Sequence, residues 1–194
     1  MTETLLWIAG AYLLGSIPTG LLLGKLYGID VRKEGSGNIG ATNLYRTVGR
    51  KVGIWTLLGD CLKGMLPVLA AWQLGLGEPM QAWIGLAAFC GHVFSVFLLF
   101  KGGKGVATAL GVYLALAPLA VAGALIVFVV LVAIWRYISL GSVAAAAVMP
   151  LIIWLLPHSG ELLLASALIS IIVIVKHHAN ISRLMAGTES KFKA

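Results

Sequence analysis

Long apolar runs, separated by short polar segments, dominate the chain. They occupy roughly residues 4–24, 52–74, 80–100, 106–135, 138–156 and 161–176. About 20 apolar residues in a helix cross the hydrocarbon core of a bilayer, and a helix satisfies its own backbone hydrogen bonds there. The pattern therefore predicts an all-α integral membrane protein.

The run 106–135 is long for one crossing and short for two. Thirty helical residues extend about 45 Å, whereas two full crossings of a core about 30 Å thick need about 60 Å. Ala117-Pro118 is the natural break, because proline disfavours helical geometry in the residue before it. The run forms either two short helices or one long tilted helix with a kink at Pro118.

The placement of basic residues favours two short helices. Lys and Arg concentrate in the cytoplasmic loops of membrane proteins. If 106–135 crosses twice, every Lys and Arg except Lys63, which lies within a run, falls on the same side as the basic loop 25–51. We therefore expect a bundle of seven transmembrane helices, two of them short, with the N-terminus outside and the C-terminus cytoplasmic. Residues 1–194 would form a single transmembrane domain.

Composition agrees with this class and narrows the partners. The chain is 60% hydrophobic and 11% charged, which is far more apolar than a soluble domain. Its net charge of +7 lies beside the apolar runs, so phosphorylated small molecules or lipid headgroups are expected partners, and nucleic acid is not. Cys61 and Cys90 lie within apolar runs and are interpreted as packing residues.

The segment GSGNIGATNLYR, residues 35–46, combines glycines with hydroxyl, amide and guanidinium groups. Glycine permits positive φ, so that successive amides can converge on an anion, and arginine binds phosphate through two parallel hydrogen bonds. The candidate phosphate-binding residues are Gly35, Ser36, Gly37, Asn38, Gly40, Thr42, Asn43 and Arg46. A flexible loop with an incidental arginine is the alternative.

The segment KGGKG, residues 101–105, ends one apolar run and precedes another. Gly102, Gly103 and Gly105 would let the backbone wrap an anion, and Lys101 and Lys104 supply charge. The helix expected to begin near residue 106 directs its N-terminal amides toward the same place. Lysines that merely anchor a helix end are the alternative, but they leave the glycines unexplained. The spacing is not that of a nucleotide-binding P-loop.

The segment HHANISRLMAGTE, residues 177–189, follows the last apolar run. His177 and Asn180 share a helix face, and Arg183 lies one turn further on. Imidazole can donate or accept a proton near neutral pH. We expect His177 and Asn180 to be active-site residues and Arg183 to bind substrate, although a histidine at a membrane interface can be purely structural.

Four other polar residues have weaker signals. Asp60 and Lys63 are spaced as an ion pair within an apolar run, where unpaired charge is costly. We interpret them as structural support, and a role in the site is the alternative. His92 is either a hydrogen-bond donor near the basic loop or simply buried. Ser142 is either a substrate-binding hydroxyl or a helix N-cap.

Several classes of active site are disfavoured by the residues present. The chain has seven acidic residues without a cluster, so a Mg²⁺-dependent phosphotransferase is not expected. Zinc-ligand spacing and the G-x-S-x-G hydrolase motif do not occur. We therefore expect no metal and no cofactor.

Taken together, the motifs resemble those of the bacterial membrane acyl-phosphate:glycerol-3-phosphate acyltransferase family. The matching segments are GSIPTG at 15–20, GSGNIGATNLYR at 35–46, DCLKG at 60–64, GHVFSVFLLFKGGKGVAT at 91–108 and HHANISRLMAGTE at 177–189. The resemblance implies an inner-membrane enzyme, with its active site on the cytoplasmic side and no obligate protein partner. It would move a fatty acyl group from acyl phosphate to the 1-hydroxyl of glycerol 3-phosphate, giving lysophosphatidic acid for phospholipid biosynthesis.

The resemblance also assigns roles. Ser36 and Arg46 become an essential pair, residues 102–105 with Lys104 become the glycerol-phosphate loop, and Glu189 becomes structural. A transporter or flippase for a phosphorylated metabolite would use similar cationic loops. It is disfavoured because the polar segments gather at one face and no inverted repeat is visible. The third hypothesis is a scaffold subunit without catalytic activity.

Overall fold

In the computed structural model, residues 2–192 are described, and within them the chain folds into helices without strands. The helices in this range are α1 (Thr2–Ser16), α2 (Thr19–Leu26), α3 (Ala41–Thr47), α4 (Arg50–Gln73), α5 (Glu78–Val93), α6 (Val106–Leu116), α7 (Pro118–Trp135), α8 (Ile138–Trp154), α9 (Gly160–Lys176) and α10 (His178–Met185), with a 3₁₀ turn at Val96–Leu98. The chain divides into two compact units, Met1–Leu116 and Ala117–Ala194.

Within the first unit, α4 packs against α1, α2, α3, α5 and α6, and α1 packs against α5. Glycines allow these backbones to approach closely. A Cβ on Gly111 of α6 would overlap the carbonyl oxygen of Cys61 in α4, and one on Gly91 of α5 would overlap the carbonyl oxygen of Tyr12 in α1. Small residues at such contacts are typical of helices packed in a membrane, where van der Waals contact replaces the hydrophobic drive between helices.

Within the second unit, α8 packs against both α7 and α9. Helix α10 continues from α9 after a bend of 56° at His177. Large apolar side chains on α7 are exposed, among them Leu119, Ile126, Val129 and Ile134. An apolar surface of this kind is what a helix presents to lipid.

The predicted helix break at Ala117-Pro118 is present. Helix α6 ends at Leu116, Ala117 has φ −144° and ψ 64°, and Pro118 is the first residue of α7. Proline is well placed at a first helical position, where no amide donor is needed. The helix through 106–135 is therefore interrupted at the predicted residue, and the choice between two short crossings and one kinked crossing stays a prediction.

Four helical segments in the described range are long and apolar enough to cross a membrane: Glu3–Leu26, Arg50–Gln73, Glu78–Leu98 and Pro118–Trp135. The bent pair α9–α10 is a fifth candidate, and α6 and α8 are shorter apolar helices. The protein is thus an all-helical integral membrane protein. The count of seven crossings and the orientation of the termini stay predictions, as does the single domain.

Candidate active site

Asn43 organises the loop between α2 and α3. It is 4% exposed, and its Nδ2 donates toward the carbonyl oxygens of Val31, Glu34 and Asn38 at 2.9–3.1 Å. Its Oδ1 accepts from the backbone amide of Ser36 at 3.0 Å. Because both ends of the amide are engaged, a direct contact of Asn43 with phosphate would have to compete with these bonds. Its observed role is to shape the loop.

Two of the predicted glycines in this loop have positive φ, +56° at Gly35 and +70° at Gly37. A Cβ on Gly35 would also overlap Oδ1 of Asn43. By contrast, Gly40 has φ −80° at the N-cap of α3 and room for a side chain. The loop therefore needs glycine at 35 and 37, where side chains rarely adopt the required backbone geometry.

The remaining polar residues of the first segment differ in exposure. The side chains of Ser36 and Arg46 are exposed, and those of Asn38 and Thr42 are partly exposed. Ser36 and Arg46, the two that the resemblance marks as essential, are thus open to molecules approaching the loop.

The KGGKG loop packs on the C-terminal end of α5. The Gly102 amide donates to the Val93 carbonyl, and the Gly103 amide donates to the His92 carbonyl, both at 3.2 Å. A Cβ on Gly102 would overlap the His92 carbonyl oxygen, and Gly105 has φ +82°. The amides of Gly102 and Gly103 were expected to wrap an anion, but both donate to carbonyl groups of α5. This corrects the expectation for these two amides. The first turn of α6 remains as the predicted source of amides.

A strained turn leads into this loop. Leu99 and Phe100 have φ of 50° and 63° although neither is glycine. Such backbone costs free energy, tends to cluster at functional sites and persists only where the surroundings enforce it. Here the Ser95 hydroxyl donates to the Ser16 carbonyl at 2.6 Å, which fastens the start of the turn to the end of α1.

Beneath the loop, ionisable groups are buried in the first unit. The Lys63 ammonium lies 2.8 Å from Asp60 Oδ1 and donates to the carbonyl of Ile17 at 2.7 Å. His92 Nδ1 lies 3.6 Å from the same Asp60 oxygen. The structure thus shows the Asp60–Lys63 pair and places His92 beside it, in the interior.

Glu189 gathers three donors in the second unit. Its Oε1 accepts from Ser139 Oγ and Asn180 Nδ2, and its Oε2 accepts from Arg183 Nε, each at 2.7 Å. Burial alone would raise the pKa of Glu189, but the hydrogen bonds from Asn180, Ser139 and Arg183 outweigh burial and leave that pKa below its usual value. The carboxylate is therefore ionised at neutral pH and orients Asn180 and Arg183.

His177 lies at the junction of α9 and α10 and is 3% exposed. Its Nδ1 lies 2.7 Å from the carbonyl oxygen of Val173. A carbonyl can only accept, so Nδ1 carries the proton in the neutral ring and Nε2 is the basic nitrogen. The neighbouring His178 is exposed, which distinguishes the two histidines of the motif.

Helix α8 supplies two serines to the second unit. Ser142 is 4% exposed and its Oγ donates to the Ile138 carbonyl at 2.9 Å. Tyr137 is the N-cap of α8, so the N-cap interpretation of Ser142 is wrong. Ser139 was not among the residues predicted from the motifs. Its hydroxyl donates to Glu189. Ser139 lies three residues before Ser142, so the two share one helix face. That spacing was the signal in the sequence that could have identified Ser139.

The candidate residues are mainly cations and hydrogen-bond donors, with one imidazole. Within residues 2–192 no group of three or more His, Cys, Asp or Glu side chains is arranged to hold a metal ion. Arginine and lysine bind phosphate, and donors directed at a developing oxyanion accelerate acyl transfer. The candidate residues therefore include the types needed to bind phosphate and to stabilise an oxyanion.

The chain is similar to several known proteins along its full length. A family model described as glycerol-3-phosphate acyltransferase matches residues 5–187. The glycerol-3-phosphate acyltransferase of Trichlorobacter lovleyi is 82% identical over 194 residues, and that of Geobacter sulfurreducens is 59% identical over 194 residues, with all of each chain covered. The crystal structure of PlsY (YgiH), an integral membrane glycerol 3-phosphate acyltransferase, in its glycerol 3-phosphate form has a TM-score of 0.94 at 38% identity, covering 98% of this chain and 96% of that chain.

Proposed function

Because the chain belongs to the glycerol-3-phosphate acyltransferase family, we propose that it transfers a fatty acyl group from acyl phosphate to the 1-hydroxyl of glycerol 3-phosphate. The products are 1-acylglycerol 3-phosphate (lysophosphatidic acid) and inorganic phosphate, and the reaction is the first step of phospholipid biosynthesis. The observation that carries this proposal is the likeness to a structure in its glycerol 3-phosphate form over 98% of this chain.

We place the protein in the bacterial inner membrane, with seven crossings and the catalytic residues on the cytoplasmic side. The placement of the basic residues supports this orientation. The helix break at Ala117 supports two short crossings within 106–135. Acyl phosphate, with its chain in the lipid, then reaches the site from the membrane, and glycerol 3-phosphate arrives from the cytoplasm.

Arg46, Lys104 and Arg183 bind the phosphate groups of the two substrates, and Lys101 adds positive charge at the membrane surface. Ser36, Ser142 and Asn180 orient the substrates by hydrogen bonds. Two observations support these assignments. Ser36 and Arg46 are exposed, and hydrogen bonds to Glu189 fix the orientation of Asn180 and Arg183. We assign no metal and no cofactor to the reaction.

In the chemical step the 1-hydroxyl oxygen attacks the acyl carbonyl carbon. The new ester C–O bond forms, the bond from the acyl carbon to the phosphate oxygen breaks, and the hydroxyl proton passes to the departing phosphate. His177 acts by positioning. Since its Nδ1 is engaged with Val173, any contact of the ring with substrate is made through Nε2. Nearby cationic and amide donors stabilise the oxyanion of the tetrahedral intermediate.

The His177→Ala variant separates positioning from general-base catalysis. A lost general base lowers kcat by roughly 10²–10⁴-fold and removes a limb of the pH–rate profile near pH 6–7. A lost positioning residue lowers activity while the profile keeps its shape, which is the result we expect. Disappearance of that limb would contradict the positioning role.

The proposed reaction is tested with purified protein in detergent, given acyl phosphate and radiolabelled glycerol 3-phosphate. We expect labelled lysophosphatidic acid at a rate that a chelator does not change. Product formed without a sealed compartment excludes a pure transporter. Product from acyl-CoA but not from acyl phosphate would overturn the assigned donor, and inhibition by the chelator would overturn the metal-independent mechanism.

A further inference from the structure

Three ionisable side chains form a buried row within the first unit. Lys63, Asp60 and His92 have side chains that are 5%, 3% and 3% exposed. Asp60 Oδ1 lies between the other two, 2.8 Å from Lys63 Nζ and 3.6 Å from His92 Nδ1. Ionisable groups inside a membrane protein are costly and commonly mark function. The mechanism proposed above uses none of these three.

One end of the row meets the KGGKG loop at Gly103. The backbone carbonyl of His92 accepts the Gly103 amide at 3.2 Å. The imidazole of the same residue lies against the Gly103 Cα. The nearest atoms that a Cβ on Gly103 would meet are Nε2, Cε1 and Cδ2 of that ring. Lys104 is the next residue along the chain, so the ring touches the backbone that carries this cation.

The other end of the row is fixed. Lys63 Nζ donates to the carbonyl of Ile17 at 2.7 Å, in the connection between α1 and α2. Thr56, one turn before Asp60 on α4, shows what an ordinary buried polar residue does here. Its hydroxyl bonds to the Val52 carbonyl of its own helix at 2.8 Å and links no other element. The row instead connects an anchored ammonium to the glycine loop.

We propose that His92, held in place by Asp60, is a positioning residue that sets the glycine loop so that Lys104 meets the phosphate of glycerol 3-phosphate. This inference rests on the proposed function, in which Lys104 binds a phosphate group, and on the resemblance, which places Lys104 in the glycerol-phosphate loop. The Lys63 ammonium, 2.8 Å from Asp60 Oδ1, holds that carboxyl group in place. His92 acts through Gly103 and itself makes no contact with substrate.

A purely structural role makes a different prediction. Buried ion pairs are poor sources of stability, and apolar replacements of similar volume are often neutral or stabilising. If the row only fills space, then altering it changes the melting temperature while folded protein keeps its KM. If it positions Lys104, altering it raises the KM for glycerol 3-phosphate with little change in kcat.

The sharpest test pairs Gly103→Ala with His92→Ala. The added methyl group collides with the His92 ring alone, so removing the ring should restore the melting temperature of the double variant. The KM for glycerol 3-phosphate should nevertheless stay about tenfold above that of the wild type, as in His92→Ala by itself. Gly102→Ala is the matched control, because its methyl group would meet the backbone of His92, which His92→Ala leaves in place.

Asp60→Asn provides a second route that adds no atoms to the loop. We expect it to raise the KM about tenfold in the wild type and to add nothing in the His92→Ala background, since Asp60 acts through His92. Thr56→Val, on the same helix, should leave the KM unchanged. His92→Gln, whose amide reaches the position of Nε2, should recover part of the affinity that His92→Ala loses.

Folded His92→Ala and Asp60→Asn proteins with wild-type KM would overturn the positioning role, as would a double variant that recovers both stability and KM. Calorimetric titration with glycerol 3-phosphate separates this failure from a failure of the proposed function. If the wild type binds and the variants bind equally well, the inference alone is wrong. If the wild type does not bind, the role of Lys104 is wrong and the inference falls with it.

Discussion

The KGGKG loop of the first unit and the Glu189 cluster of the second are built by opposite means. In the loop, the absence of side chains lets the backbone of Gly102 and Gly103 lie on the end of α5. In the cluster, one carboxylate holds the side chains of Ser139, Asn180 and Arg183. Both regions carry residues proposed for catalysis, but the loop is shaped by backbone contacts, whereas the cluster is shaped by direct hydrogen bonds to an ionised carboxylate.

This difference determines how each region can be damaged. The loop should fail when atoms are added, because its glycines leave no space. The cluster should fail when charge is removed, because a neutral side chain at position 189 is a weaker acceptor for the three donors than a carboxylate is. Acid should likewise affect the cluster first.

The largest effect is expected from Gly102→Ala. Its methyl group would overlap a backbone carbonyl oxygen of α5, which cannot rotate away as a side chain could, so the loop and Lys104 must shift. A displacement of about 1 Å near reacting groups costs on the order of 100-fold in rate, and steady-state assay of acyl transfer measures it. Gly10→Ala is the control, since nothing lies within 4 Å of its Cβ. Equal activity of both variants would contradict the packing role of the loop.

A smaller loss is expected from Glu189→Gln. The substitution keeps the shape but removes the charge that three donors share, and hydrogen bonds to charged groups contribute about 1.5–3 kcal/mol. We expect roughly tenfold lower activity and a lower melting temperature. Glu161→Gln, at the start of α9 in the same unit, should retain wild-type activity. The role of the cluster would be refuted by a Glu189→Gln enzyme as active as this control.

The same carboxylate predicts a pH dependence of stability. Because the pKa of Glu189 is lower in the folded protein than its ordinary value of 4.5, its stabilising contribution is complete above about pH 4.5 and is lost as the pH falls through the folded-state value. The difference in melting temperature between wild type and Glu189→Gln should therefore be constant from pH 6 to 8 and shrink below about pH 4.5. A difference that grows in acid would have the wrong sign.

The smallest effect is expected from Asp30→Asn, away from both regions. Asp30 and Arg32 form an ion pair at 2.7 Å, but the Arg32 side chain is 51% exposed, and exposed pairs contribute little. Neither melting temperature nor acyl transfer should change measurably. A clear loss of activity would mean that the loop 27–40 depends on more than Asn43 for its shape.

Features that depend on residues close together in the chain could be predicted from the sequence. The helix break at Ala117-Pro118 follows from proline geometry alone. Residue type permits the positive φ observed at Gly35 and Gly37, but it did not distinguish them from Gly40, whose φ is −80°. The resemblance drawn from five motifs is confirmed by the family match and by the relatives. The number of crossings stays a prediction.

Contacts between distant residues could not be predicted in the same way. Ser139 and Glu189 are 50 positions apart, and no periodicity relates them. The contact of His92 with Gly103 depends on how the chain returns after α5, through the turn at Leu99 and Phe100. Asn43 was assigned to phosphate because amides suit that task, but the structure uses both ends of its amide to hold its own loop.

The central claim is that Lys104 and His177 each contribute to the binding of glycerol 3-phosphate. Calorimetric titration of glycerol 3-phosphate into wild type, Lys104→Ala and His177→Ala tests it most directly. We predict that each substitution weakens binding by about tenfold or more, as expected when a hydrogen bond to a charged group is lost. Unchanged affinity in either variant, with the protein folded, would contradict the claim.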